Sequence, residues 1–412
     1  MLERHLLAVA RESLRAFRVT VINGPRQAGK TTLARQLVAG TGSYWSFDDE
    51  TVRSAARLDP HRFVEQGDSP MVIDEVQRGG NDLILAIKTV VDDRNDRGQF
   101  VLAGSTRFLS VPQLAESLAG RAEILDLWPL SQGELLGVRE TFLDVLINNP
   151  AQLALRRCEQ LDRTVLFARL TQGGYPEMIG APPQQAARWY RNYIRTVVER
   201  DIIEASAITQ AAELPTLLRL IAANNAGELV VSRLAGDARV SADTVSRYIS
   251  LLELVGFVVR LPAWTPSLTT REKRHPKIVI ADTGLACSLL GRNAAAIGTP
   301  TSSLTGPMLE AFVATELIKQ RGWSDSQPTI RHWRDRNGAE VDLIVEDDSG
   351  SIAGIEVTAS STVSASDVTH LRNLRDGLQD RFLAGVVLYL GDRALNLSDR
   401  IWALPVSALW SD

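Results

Sequence analysis

The stretch RVTVINGPRQAGKTTLARQL, residues 18–37, decides how the chain begins to fold. Its centre, GPRQAGKTT from Gly24 to Thr32, fits the spacing G-x-x-x-x-G-K-[ST]. A β-rich run, RVTVIN, precedes it, and Leu33, Leu37 and Val38 follow at helical spacing. Strand, glycine loop and helix in that order make a cradle for phosphate. Gly24 and Gly29 let backbone N–H groups curl around the anion, and the helix N-terminus adds its dipole. Lys30 is expected to reach the β and γ phosphates of ATP, Thr31 to ligate Mg²⁺, and Thr32 to complete the cradle.

Three further runs extend this site. In SPMVIDEVQ (residues 69–77) a buried strand, Met71 to Ile73, ends in Asp74 and Glu75. Asp74 is expected to hold Mg²⁺ through water, and Glu75 to polarise the attacking water as general base. The run GQFVLAGST (98–106) ends in Ser105 and Thr106, placed to sense the γ-phosphate or orient that water. In SLAGRAEILDLWPLS, Arg121 precedes another β-rich run. An arginine there would complete the charge on a transferring phosphate, in its own subunit or a neighbour's; the alternative is a solvated surface arginine. Alternating strands and helices with these motifs predict a parallel α/β sheet with nucleotide at the strand C-termini.

Bulk properties set the frame. At 412 residues the chain exceeds one ordinary core and predicts about three domains. Apolar content of 45% with 23% charged residues belongs to a folded soluble protein. Cys158 and Cys287 stand far apart, which points to neither a disulfide framework nor a zinc site. The opening MLERHLLAVARESLRAF reads as an amphipathic helix, with Leu2, Leu6, Leu7, Leu14 and Phe17 on one side, rather than as a leader. With no apolar run near the roughly 20 residues that span a bilayer, a cytoplasmic protein is expected. Net charge is −4, so any nucleic-acid contact needs a local basic patch.

The middle of the chain offers such a patch. From about 140 to 205 the pattern is helical, and QQAARWYRNYIRTVVERDI sets Trp189, Tyr193, Val197 and Ile202 near one face. From about 206 to 280 short helices give way to a hairpin, the order of a winged helix. Its second helix would turn Thr244, Arg247 and Tyr248 toward a major groove. Beyond the strand FVVRL, the run TTREKRHPK places Arg271, Lys273, Arg274 and Lys277 where the wing should be. Cations there would neutralise phosphates with salt-dependent affinity; the alternative is a lid or protein contact with a solvated loop.

Taken together, GPRQAGKTTLARQL, MVIDEVQ, LAGSTRFL and ESLAGRAEIL resemble the AAA+ ATPases that carry a C-terminal domain of unknown function, DUF4143. The resemblance continues in GGYPE (173–177), YIRTVVERDI (193–202), IADTGLA (280–286), GPMLEAFVATEL (306–317) and HWRDRNGAEVDLIVE (332–346), and so covers nearly the whole chain. It implies an α/β fold: a P-loop AAA+ ATPase core with helical lid, a winged-helix segment and a PD-(D/E)XK nuclease-like α/β domain. The expected boundaries are 1–138 for the ATPase domain, 139–205 for the lid, 206–280 for the winged helix and 281–412 for the DUF4143 domain. A homo-oligomer follows from the same resemblance.

The last region carries a departure. In GAEVDLIVEDDSGSIAGIEVTAS (338–360), Asp342 and Glu356 stand on two strand-like runs, an arrangement by which a sheet edge holds a divalent metal for cutting phosphodiesters. GPMLEAFVATELIKQRGW reads as an amphipathic helix with Leu309, Phe312, Val313 and Leu317 inward. By resemblance to PD-(D/E)XK nucleases, Glu310, Asp342 and Glu356 would be the metal-binding acids, followed by a lysine in E-x-K. Here Thr358 stands in its place, on the same face as Glu356. A hydroxyl supplies no positive charge, and losing such a group costs roughly 10²–10³ in rate. Arg336 and His370 are the candidates for a substitute cation. The expected activity is therefore ATP hydrolysis that gates binding to DNA, with the nuclease-like domain as a platform. The rival readings are an ATP-gated metal nuclease and a signalling switch that grips a protein partner.

Overall fold

The apolar run Val19–Asn23 forms β1, followed by β2 (Ser43–Ser46), β3 (Met71–Asp74), β4 (Phe100–Ala103) and β5 (Ala122–Asp126). They pair in parallel in the order β2-β3-β4-β1-β5. The computed structural model describes residues 2–104, 118–198, 213–271, 274–335 and 338–411. It divides into two compact units, one of Met1–Leu130, Tyr175–Glu177 and Leu254–Gly256, the other of Ser131–Gly174, Met178–Glu253 and Phe257–Asp412.

In the first unit, strand alternation sorts the core onto two faces. Val19, Val21, Met71, Ile73, Phe100 and Leu102 pack toward the helix Gly80–Asp93. Ile22, Val72, Val101 and Ala103 pack toward the helices Leu6–Ala16 and Lys30–Leu37. Being covered on both faces is why β3 up to Ile73, and all of β4, are apolar rather than alternating. The N-terminal helix starts at Leu6, so the expected inward Leu2 lies before it and is exposed; Leu6, Leu7 and Ala10 carry the packing.

The second unit holds two sheets. The helix Leu214–Ala223 leads into β6 (Gly227–Glu228), the helices Val231–Ala238 and Ala242–Leu254 follow, and then come β7 (Val258–Leu261) and β8 (Lys277–Ile280); the three strands pair antiparallel in the order β6-β8-β7. The larger sheet contains β9 (Thr329–Arg334), β10 (Glu340–Glu346), β11 (Ile352–Val357), β12 (Phe382–Tyr389), β13 (Leu395–Ser398) and β14 (Ile401–Pro405). Its order is β13-β14-β12-β11-β10-β9, antiparallel from β9 to β11 and parallel from β11 through β12 to β14. The helix Ser366–Leu378 makes the crossover from β11 to β12. The helix Thr305–Arg321 is buried on nearly every side, Ala311, Ala314 and Glu316 as well as the expected Leu309, Phe312, Val313 and Leu317. It is an interior helix, not the one-faced amphipathic helix its sequence suggested.

Two glycines and one aspartate explain why separate motifs meet in this unit. Asp282 caps the helix Thr283–Leu290 by accepting the Leu285 N–H, and its other oxygen accepts the Gly174 N–H at 2.7 Å. Tyr190 donates its hydroxyl toward the same carboxylate and to the Gln172 carbonyl. Gly173 sits at φ +71° beneath this knot, where an added Cβ would lie 2.3 Å from the Tyr190 hydroxyl. The glycines of GGYPE and the aspartate of IADTGLA are thus two sides of one hydrogen-bonded joint. Trp189 stacks on Tyr193 at 4.9 Å in the same helix, and Ile202, expected on that face, lies outside the described residues.

Candidate functional site

The phosphate loop is built as its sequence requires. Gly24 follows β1 at φ +152°, where a Cβ would sit 2.1 Å from the Leu127 carbonyl oxygen. Gly29 takes the left-handed conformation and caps the helix Lys30–Leu37, which has no acidic residue in its first turn to occupy the dipole. The loop is propped from below by Arg4, whose guanidinium donates to the Ala28 and Trp128 carbonyls, both at 2.7 Å. Lys30 is nearly buried and donates to the Gly24 and Pro25 carbonyls at 2.9 and 2.8 Å. Its ammonium therefore points into the loop rather than out to solvent. Thr32 follows on the same helix and is exposed.

Because β4 lies between β1 and β3, Asp74 and the loop reach the same end of the sheet, with Ile22 and Asp74 both level with Ala103. Thr31 donates its hydroxyl to Asp74 Oδ2 at 2.7 Å. That pair is the donor set a Mg²⁺ ion uses beside nucleotide phosphates, one hydroxyl and one carboxylate, so the residues fit the ion. Tyr44 on β2 also donates to Asp74 Oδ2, at 2.8 Å, and Arg35 lies over its ring at 4.4 Å. Burial pushes the Tyr44 phenol up, despite the opposing hydrogen bond with Arg35. Glu75 adopts φ +53°, uncommon for a residue with a Cβ, and its N–H donates to Asp74 Oδ1 at 3.0 Å. Its carboxylate is held by the Gln77 amide. Strain of this sort is tolerated where the surroundings fix a side chain for use.

Two expectations for this site end differently. Ser105 lies outside the described residues. Arg121 is at the start of β5, where its carbonyl accepts the Val19 N–H, so it stands at the opposite strand ends from the phosphate loop. Its guanidinium grips Asp92, at 2.5 and 3.0 Å. A role on a phosphate in its own subunit is therefore excluded by sheet direction. Tyr44, Gln77 and Arg4 were not foreseen, since their partners are set by tertiary pairing rather than by spacing.

The basic loop expected at a wing is mostly internal. Arg271 is 7% exposed and its two terminal nitrogens donate to Glu346 on β10 at 2.8 and 2.7 Å, while Nε donates to the Thr265 carbonyl. Trp264 adds its indole N–H to Glu346 at 3.0 Å, and Arg331 lies 3.2 Å from the same carboxylate. Arg274 donates to the Arg334 carbonyl. Lys277 opens β8 and is 2% exposed. Arg271 and Lys277 thus cannot neutralise nucleic-acid phosphates. The reason is that the segment after β7 keeps pairing, with Ala263 bridged to His332 on β9, and carries its cations onto the acids of β10. Lys273 lies outside the described residues. On the helix Ala242–Leu254, Arg247 is exposed beside Thr244, whereas Tyr248 is fully buried in the core instead of facing outward.

The three acids expected to bind metal do assemble, around a cation that was assigned elsewhere. Lys277 Nζ lies 2.5 Å from Glu310 Oε1, 2.6 Å from Glu340 Oε1 and 3.6 Å from Asp342 Oδ1. Asp342 Oδ2 accepts the Val357 N–H at 2.9 Å, and Asp342 shares a hydrogen bond with Glu356. Burial, then the Asp342 charge, pushes the Glu310 carboxyl up to about 8 and the Glu356 carboxyl to about 10. Glu340 is held low by Lys277 and Arg334, although burial opposes it. Among the described residues no group of three or more His, Cys, Asp or Glu side chains is arranged to hold a metal ion. The point between Glu310, Glu340 and Asp342 is filled by the Lys277 ammonium. Thr358 follows β11 and donates its N–H to the Leu388 carbonyl. Of the suggested substitutes for its missing charge, Arg336 lies outside the described residues and His370 stands on the helix Ser366–Leu378; Lys277 is the cation found among the acids.

A cavity of about 450 Å³ lies elsewhere in the second unit, lined by Tyr190, Cys287, Ser288, Arg292 and several alanines, with none of these acids. No described helix is long and apolar enough to cross a membrane.

Residues 16–136 match an AAA domain, residues 163–296 a domain of unknown function (DUF8612) and residues 305–409 a domain of unknown function (DUF4143). The uncharacterized proteins Rv2008c of Mycobacterium tuberculosis and Mb2031c of Mycobacterium bovis are each 31% identical over 409 residues, 98% of this chain and 84% of theirs. Among solved structures, AMPPCP-bound DnaA from Aquifex aeolicus is similar at a TM-score of 0.30 and 15% identity, over 60% of this chain and 86% of that one. A RuvB variant from Thermotoga maritima is similar at 0.28 and 18%, over 65% and 91%. With the phosphate loop, its acid strand and nearly full-length relatives in agreement, the chain belongs to the family of AAA+ ATPases that carry a C-terminal DUF4143 domain.

Proposed function

We propose that the chain hydrolyses ATP with Mg²⁺ and that the cycle gates its hold on DNA. The observation that carries the ATPase reading is the 2.7 Å contact between Thr31 and Asp74 beside the buried Lys30. In this reading Thr31 and Asp74 hold Mg²⁺, which neutralises phosphate charge, while Lys30 leaves its loop carbonyls for the β and γ phosphates. Glu75, fixed by Gln77, orients and deprotonates the attacking water. With Arg121 at the far strand ends, the remaining charge falls to an arginine of a neighbouring copy, which argues for a homo-oligomer.

The DNA reading rests on a helix, β6, two further helices, then β7 and β8, with the strands paired β6-β8-β7, the arrangement of a winged helix, whose last helix carries Arg247 exposed and Thr244 half-buried. The nuclease-like domain acts as a platform that does not cut. With Arg271 and Lys277 engaged internally, few phosphates are neutralised, and the salt dependence should be shallow, about −0.9 in log–log slope for each phosphate contacted.

The test is ATP turnover with Mg²⁺ for wild type and Lys30→Ala, with and without duplex and single-stranded DNA at low and moderate salt. Stimulation of the wild type by DNA that fades with salt supports both parts. A wild-type rate indifferent to DNA overturns the DNA reading in favour of a protein partner, and no turnover overturns the ATPase reading.

A further inference from the structure

The cation at the centre of the nuclease-like acids comes from β8, which belongs to the other sheet of that unit. We infer that the Lys277 ammonium is the resident cation of this cluster and excludes a divalent metal from it. Three carboxyl groups drawn from the helix Thr305–Arg321 and from β10 converge on one nitrogen, at 2.5, 2.6 and 3.6 Å. An ammonium has three donors and no acceptor; the Glu310 and Glu340 oxygens lie within hydrogen-bond distance of it, and Asp342 adds an ion pair at 3.6 Å. A magnesium or manganese ion would need the same oxygens at about 2.0–2.2 Å, with a like charge only a few ångströms away. The second oxygen of Asp342 is already taken by the Val357 N–H.

The alternative, that Lys277 is the lysine of E-x-K moved to another strand, fails on access. A lysine that stabilises an attacked phosphate must touch the substrate, and Lys277 is 2% exposed behind the acids it pairs with. Thr358 makes the same point from the other side: with a hydroxyl in place of the expected cation, the negative charge of the cluster is balanced chiefly from β8, and Arg334 reaches only the other oxygen of Glu340, at 3.6 Å. The joint therefore ties β8 to β10 and the interior helix, and its acids serve architecture.

Removing the ammonium should convert the cluster into a metal site. The experiment is Mn²⁺ binding to the full chain without nucleotide, followed by the electron paramagnetic resonance of free Mn²⁺. Wild type and Asp342→Asn should bind alike. Lys277→Met should gain one site at least tenfold tighter than any wild-type site, and Lys277→Met with Asp342→Asn should lose it. A nucleotide-independent wild-type site abolished by Asp342→Asn overturns the inference, as does a folded Lys277→Met variant that gains none. If Lys277→Met does not fold, wild type against Asp342→Asn decides alone. Because no nucleotide is present, failure here leaves the ATPase reading untouched.

Discussion

Replacing Arg271 by methionine separates a structural cation from a DNA contact. Arg271 and Glu346 expose only 6% and 9% of their side chains, and the guanidinium meets the carboxylate through two nitrogens. Removing one partner of such a pair costs about 3–5 kcal/mol, mostly because the other charge is left buried. Glu346 keeps Trp264 at 3.0 Å and Arg331 at 3.2 Å, which places the loss at the lower end, about 3 kcal/mol. At about 2–4 °C per kcal/mol for a unit of this size, the transition should fall by about 6–12 °C. Removing Glu346 as well, as Arg271→Met with Glu346→Met, should recover at least half of it, since a buried pair replaced by apolar groups is close to neutral. The assay is thermal unfolding followed by tryptophan fluorescence, for which Trp264, 5.4 Å from the guanidinium, is a local reporter. An Arg271→Met variant with wild-type stability and weakened DNA retention would refute the reasoning and restore the wing.

Three further outcomes follow from the geometry. Tyr44→Phe removes a donor to the Asp74 carboxylate and should raise the Mg²⁺ concentration for half-maximal ATP turnover about tenfold, the usual effect of losing a group that orients a metal-binding acid; an unchanged requirement would remove Tyr44 from the site. Gly173→Ala places a methyl against the Tyr190 hydroxyl at a φ, ψ region kept for glycine and should destabilise by about 2 kcal/mol or more, read by denaturant titration; full stability would contradict the close approach. Glu310 and Glu356 keep protons in the folded state up to about pH 8 and 10, whereas their unfolded carboxyls release them near 4.5. Their contribution is complete below about pH 4.5 and is lost as pH rises from there through those values, so stability should fall toward alkaline pH and Glu310→Gln should flatten that slope; an unchanged slope would contradict the burial of Glu310.

What the sequence makes legible here is local. Gly24, Gly29 and Lys30 lie close together in the chain, and their roles follow from φ angles and a helix N-terminus that the spacing itself dictates. Asp74 is readable because an acid ending an apolar strand has one sheet end to occupy. Lys277 and Arg271 are not, because the groups that neutralise them stand 33 and 75 residues away on elements paired only by tertiary folding. A run of cations between two strands looks solvated until the strand after it is known to bring carboxylates alongside. Arg121 shows the same limit: its neighbours in sequence place it near a strand, but only sheet direction says which end. The interior helix Thr305–Arg321 hides its burial for the opposite reason, since small residues such as Ala311 and Ala314 pack closely without a strong apolar stripe.

The central claim is that Lys30, Thr31, Asp74 and Glu75 form one Mg-nucleotide site. The most direct measurement is phosphate release from Mg-ATP by wild type, Lys30→Ala and Glu75→Gln, with nucleotide binding measured on the same samples. The wild type should turn over, Lys30→Ala should bind weakly and not turn over, and Glu75→Gln should keep binding without turnover. Wild-type turnover that survives either substitution would contradict it.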